Sequence, residues 1–319
     1  MFRTSLVAII ILCAATHCLA AERPRAKPRS DRSLSSGQTP AANIKVDVPF
    51  VLIPVHVATD IGRPVMELES KDFRLFDDNI EHSIKSFAKD DAPISVGMVF
   101  DSSGSMKSKM TKSVEAASAF LKTASPADEH FLVEFGDRAK LSIPFTDANS
   151  DPIAKIARIR PFGRTSLFDA IHLSLKQMGH ARNKRRAIVI FSDGGDNCSR
   201  RTMQEIRNSL LEANVQLYAI GIIEEDSKDK PTREEIAGPG VLDELTQITG
   251  GLHFRSGLSD LTPIAERVGN ELRSQYLIGY TPITEEGDGK YHRVRVTISK
   301  KDRMPGLRVS HRLGYYSSN

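Results

Sequence analysis

Ser95-Val96-Gly97-Met98-Val99-Phe100-Asp101-Ser102-Ser103-Gly104-Ser105-Met106 is the stretch that decides the fold. Its first half is a short, mostly apolar run without polar alternation, the pattern of a strand covered on both faces. Its second half is a Ser- and Gly-rich turn, and helical periodicity follows at 109–122. A strand that opens through a tight turn into a helix is the repeating unit of a parallel sheet flanked by helices. In such a sheet, ligands gather at the carboxyl ends of the strands, where loops converge.

Outward from this segment the alternation continues to about Asn270. Strands are expected at 95–100, 131–135, 140–145, 187–191, 216–222 and 252–254, and helices at 109–122, 152–159, 167–178, 201–213, 241–249 and 259–272. The two flanks read differently. Segments 46–57, 73–76 and 82–87 on one side, and 275–280, 291–299 and 307–313 on the other, are strand-like, with turns at 60–63 and 286–289. Pro49 and Pro54 suggest that the first of these strands is an edge or bulged strand. Three short strands make a poor sheet alone, so the two flanks are expected to pair with each other; pairing only within each flank is the alternative.

The expected fold is therefore α/β: a doubly wound, mostly parallel sheet with helices on both faces, plus a small β-sandwich-like domain formed by N- and C-terminal strands. The divisions are 1–20 signal peptide, 21–43 disordered linker, 44–90 N-terminal β segment, 91–274 α/β domain and 275–319 C-terminal β segment pairing with 44–90. The leader reading rests on Arg3 before the apolar run 6–15, which is too short to span a bilayer, with Cys18 and Ala20 as small residues before a cleavage point. Residues 15–17, Ala-Thr-His, lack the pattern of a lipoprotein signal. The 21–42 stretch is rich in Pro, Arg, Ser and Gln and has too little apolar surface to fold. A secreted or periplasmic protein is expected, with no integral membrane span after cleavage. Loss of the leader removes Cys13 and Cys18, leaving Cys198 without a disulfide partner. The 44 Lys and Arg residues are interleaved with 40 Asp and Glu, which argues against a nucleic-acid partner.

Three segments are expected at one rim of the sheet. Asp101, Ser103 and Ser105 lie in the opening motif, Thr165 in Gly163-Arg164-Thr165-Ser166, and Asp193 in Ser192-Asp193-Gly194-Gly195. Each alone is equally a turn or helix cap. Together they supply hard oxygen donors, suited to Mg²⁺, with Mn²⁺ or Ca²⁺ as alternatives, and unlike a zinc cluster of Cys and His. His172 and His180 lie too far along a helix, and Asp169 and Asp196 are expected to serve turns and caps. Lys107, Lys109, Arg164, Arg200 and Arg201 form a basic rim, 182–186 solvates the opposite end, and 224–240 is expected on the rim side as either a mobile recognition loop or an exposed connection.

The order Asp-x-Ser-x-Ser, then Thr, then Asp before Gly resembles the metal-ion-dependent adhesion site of the von Willebrand factor A family, over about 94–270. The resemblance implies that Ser103, Ser105 and Thr165 bind the ion directly and that Asp101 and Asp193 act largely through water. It also implies a protein or peptide partner whose Asp or Glu carboxylate fills an open metal position. The wider layout, including residues 71–78 and 275–280, resembles exported A-domain proteins of Acidobacteria. The expected function is an exported, metal-dependent adhesion or protein-binding module and not an enzyme. A metal-assisted hydrolase and a scaffold with a purely structural metal are the alternatives. The chain has no Gly-x-Ser-x-Gly elbow and no Gly-Lys-Ser/Thr phosphate loop to favour catalysis.

Overall fold

The computed structural model describes residues 50–90, 92–147, 151–224, 230, 232–283, 289–299 and 306–317. The expected signal peptide and linker lie outside the described residues, as does most of the turn at 286–289.

The chain begins with strands β1 (Val51–Ala58), β2 (Phe73–Asp77), β3 (Ile80–His82) and β4 (Ser86–Asp90). The α/β region follows: β5 (Ile94–Asp101), α1 (Met110–Lys122), β6 (Glu129–Phe135), β7 (Ala139–Asp147), α2 (Pro152–Ile156), α3 (Leu167–Met178), β8 (Arg185–Ser192), α4 (Met203–Glu212), β9 (Gln216–Ile223), α5 (Arg233–Thr249), β10 (His253–Gly257) and α6 (Leu261–Arg273). The chain then returns to strands β11 (Gln275–Tyr280), β12 (Tyr291–Ile298), β13 (Arg308–His311) and β14 (Gly314–Tyr316).

The central sheet has the order β10-β9-β8-β5-β6-β7, parallel except for the antiparallel edge strand β7. Every residue of β5 is buried, as its unbroken run requires. One face packs Met98, Phe100, Val189 and Phe191 under α1 and α6. The other packs Val99, Val133, Ile188 and Ile190 under α3, α4 and α5.

The flanking strands form two four-stranded sheets, β13-β1-β11-β4 and β14-β12-β2-β3. Pairing runs between the two chain ends: Ile53 faces Ile278, and Leu75 faces Val296. Alternate residues from both sheets, including Ile53, Val55, Leu75, Tyr276, Ile278 and Val296, share one core. The flanks pair with each other, while β2–β3 and β12–β14 also pair within a flank. Strand β1 is an interior strand rather than the expected edge. Pro54 is tolerated because β13 joins only from Val55 onward.

Three further expectations change. Segment 82–87 becomes the ends of two strands in different sheets, and 307–313 likewise divides between β13 and the approach to β14. Helix α5 starts at Arg233, well before the expected 241, because Thr232 and Glu235 form a capping box. Arg185, expected only to solvate a turn, donates to Ala92 O at 2.8 Å and to Leu272 O.

His56 on β1 and Glu271 on α6 join the sandwich to the α/β region; both are buried, with His56 Nε2 2.5 Å from Glu271 Oε2. His56 Nδ1 lies 3.2 Å from Ser274 O and donates its proton there. Two acceptors approach this closely only with a proton between them. Burial pushes Glu271 up to about 7 and His56 down to about 4, so a neutral carboxyl donates to a neutral imidazole. The raised Glu271 favours the folded state at low pH, an advantage lost as pH rises toward about 7. The lowered His56 acts oppositely, gaining as pH rises from about 4. Over the shared window the two slopes offset each other. We expect His56→Leu to expose the Glu271 slope: stability should fall by about 3 kcal/mol from about pH 5 to about pH 8. Urea melts across that range check this, and an equally steep wild-type profile would contradict the shared proton.

Candidate metal site at the sheet rim

Asp101 ends β5 with its side chain fully buried. Its Oδ1 accepts the Ser103 backbone N–H at 2.9 Å, so the turn folds back onto the carboxylate. Its Oδ2 accepts the Ser192 hydroxyl at 2.5 Å, which ties the carboxyl ends of β5 and β8 together. The Ser103 and Ser105 hydroxyls converge to 3.1 Å.

Backbone hydrogen bonds lace the other two loops to this turn. Gly104 N–H donates to Gly163 O at 3.0 Å, and Phe162 N–H to Ser102 O at 2.9 Å. Thr165 N–H donates to Asn197 Oδ1 at 2.9 Å. In return, the backbone N–H groups of Asn197 and Cys198 donate to Thr165 O at 3.0 and 3.1 Å. The structure thus places Asp101, Ser103, Ser105, Thr165 and Asp193 on three interlocked loops at the carboxyl end of the parallel strands.

Asp193 Oδ1 accepts Gly195 N–H at 3.3 Å, and its Oδ2 accepts Lys109 Nζ at 2.9 Å. Lys109 is therefore buried in an ion pair, not displayed on the basic rim as expected. Lys107, Arg164, Arg200 and Arg201 are exposed. Burial first, and then the Asp193 charge, pushes Asp101 up to about 7 against the pull of its donors. Two buried carboxylates, only one of them paired with an ammonium, beside convergent hydroxyls match the chemistry of a hard divalent cation.

The neighbouring acids serve structure. Asp196 accepts the Phe168 N–H at 3.1 Å at the start of α3. Asp169 accepts the backbone N–H groups of Arg200 and Arg201. Cys198 is partly buried and contacts Asp137 O at 3.6 Å, and burial raises its thiol above the ordinary value, so the protonated form prevails at neutral pH. Sequence reasoning missed Ser192, Asn197 and the role of Lys109. Ser192 stood at the end of a buried run beside Asp193 and was readable. A buried Lys carried no signal, since Lys is exposed by default.

Residues 96–195 match the family model described as von Willebrand factor type A domain. The chain carries a von Willebrand factor type A domain. No curated protein matches the chain. Among solved structures, it is similar to a conserved hypothetical protein BatB from Bacteroides thetaiotaomicron, at 17% identity, covering 57% of this chain and 100% of that one, with a TM-score of 0.45. A von Willebrand factor type A protein from Catenulispora acidiphila is 12% identical, with 85% and 74% covered and a TM-score of 0.49. Proximal thread matrix protein 1 from the mussel byssus, with a zinc-occupied MIDAS motif, is 18% identical, with 62% and 50% covered and a TM-score of 0.46.

Two glycines explain why 238–240 lies in a helix despite its loop-like Gly-Pro-Gly. Gly194 has φ +86°, and a Cβ there would lie 2.5 Å from Gly238 O. A Cβ on Gly238 would lie 2.4 Å from Asp193 O. Helix α5 therefore packs backbone to backbone against the A-domain's Asp193 loop. We expect Gly194→Ala to destabilise by about 2 kcal/mol through this collision and the positive φ. Gly240, exposed with nothing within 4 Å of a Cβ, is the control. There Gly240→Ala should stabilise by about 0.5 kcal/mol, and chemical denaturation reads both.

Proposed function

We propose that the A domain holds one divalent cation, most simply Mg²⁺, at Asp101, Ser103, Ser105, Thr165 and Asp193, and through it binds a carboxylate of a protein or peptide partner. The observation that carries this reading is a pair of convergent hydroxyls beside two buried carboxylates, Asp193 paired with the Lys109 ammonium and Asp101 held by hydroxyl and amide donors. Ser103, Ser105 and Thr165 would hold the ion, with Asp101 and Asp193 acting largely through water. A cation bound with few anionic ligands stays electrophilic, and a partner's Asp or Glu adds a directional, charge-assisted contact.

Phe162 supports a macromolecular partner: it is 77% exposed on the loop bonded to Ser102. Ile236, on the helix that packs against the Asp193 loop, is also exposed. Apolar side chains beside a polar centre suit a protein interface. Binding is favoured over metal-assisted hydrolysis because Asp169 and Asp196, the nearby candidates for a general base, are engaged by backbone amides. We further propose that 1–20 is a signal peptide and 21–43 a linker, that the protein works outside the cytoplasm, and that the A domain, 91–274, is inserted between β segments 44–90 and 275–319.

Titration calorimetry of the whole chain with Mg²⁺, Mn²⁺, Ca²⁺ and Zn²⁺ tests the ion. Asp101→Ala should abolish Mg²⁺ uptake while circular dichroism stays unchanged. Lys109→Met removes a positive charge beside the ion and should tighten Mg²⁺ binding roughly 10-fold. Capture of a partner from the cell envelope should be released by EDTA and weakened by Phe162→Ala at unchanged Mg²⁺ affinity. Capture unaffected by EDTA, with the rim shown to be emptied, removes the adhesion reading.

A further inference from the structure

We infer that the sandwich holds a second divalent-cation site, of the zinc class, formed by Asp77, Asp78 and His292. Asp77 closes β2 opposite Val294 of β12. Asp78 begins the following two-residue turn, and His292 lies two residues before Val294 on β12. One donor atom from each of the three residues falls within 4.8 Å of the others.

The decisive feature is the unequal treatment of the two Asp77 oxygens. Oδ2 accepts the Tyr280 hydroxyl at 2.9 Å and the Tyr315 hydroxyl at 3.0 Å. Oδ1 is buried with no hydrogen-bond partner, 3.9 Å from His292 Nδ1, on a residue only 5% exposed. A carboxylate withdrawn from water, with one oxygen given no donor, carries a large desolvation cost unless a cation meets it. Among the described residues no Lys or Arg pairs with Asp77. The tyrosines orient the carboxylate as outer-sphere partners of a metal ligand do.

The other two ligands are similarly placed. The buried His292 ring stacks on Tyr315, with centroids 5.4 Å apart and planes 23° apart. Its Nδ1 lies 3.0 Å from Asp78 Oδ2, and Asp78 Oδ1 accepts Arg293 N–H at 2.9 Å. A cation entering between them would replace the Nδ1 to Asp78 hydrogen bond by two metal contacts. Asp78 is largely exposed at the turn and can adjust. Two carboxylates and an imidazole form a borderline donor set suited to Zn²⁺ or a neighbouring first-row dication, unlike the all-oxygen rim. The ion would clasp the β2–β3 turn to β12, fastening the two flanks of the chain. This site is independent of the rim reading.

Zn²⁺ titration of the full-length Asp101→Ala protein tests it with the rim disabled. One equivalent should bind and raise the melting temperature. His292→Ala, added to that background, should lose the equivalent, and Tyr315→Phe should weaken it roughly 10-fold. Asp78→Asn, an exposed change that spares the core, keeps the test decisive if His292→Ala fails to fold. No Zn²⁺ uptake by Asp101→Ala, or uptake unchanged by Asp78→Asn, overturns the proposal.

Discussion

A carboxylate taken out of water must be answered by donors, a proton or a cation, and this chain buries acids at each of its junctions. At the rim, Asp101 and Asp193 are placed together by the ends of two adjacent parallel strands. Ser192, the Ser103 amide and Lys109 answer part of that charge. The geometry of the rim follows from this need. The turn after β5 folds back because its amide is required by Asp101, and the loop after β8 stays close because Lys109 holds Asp193.

The remaining junctions meet the same constraint by different chemistry. Glu271, pushed up to about 7 by burial, keeps its proton on the acid side of that value and meets His56 through it as a hydrogen-bond donor. Asp128 collects the amides of Ile94 and Ser125 together with the Arg273 guanidinium, fixing the start of β5 to the end of α6. Asp77 receives two tyrosine hydroxyls on one oxygen and nothing on the other. Its second oxygen is buried and unanswered, so its surroundings invite a ligand from outside the chain.

The alternating α/β region was legible because its signals are local. The fully apolar run of β5, the periodicity of α3 and the strand-to-turn step at Asp101 each lie within a few residues. The pairing of distant flanks was readable only as a need: lone short strands require partners, but sequence patterning does not name them. Helix α5 was misread because Gly238-Pro239-Gly240 has the composition of a loop. Its glycines answer a close backbone approach to Gly194, a tertiary fact that no local rule encodes. Lys109 was misplaced for a related reason, since only the packed rim reveals that its ammonium turns inward.

The position of the sandwich gives the molecule a direction. Its contacts reach Asn214 before β9 through Arg312, Ile248 near the end of α5 through the Leu313 amide, and Glu271 near the end of α6 through His56. These points all lie at the amino-terminal foot of the parallel strands, whereas the Asp101 rim lies at their carboxyl ends. Among the described residues, strands from both flanks therefore meet the α/β region at its foot. The strand direction that gathers the oxygen donors on one edge thus also places the sandwich on the other, so the site and its support are separated by the topology itself.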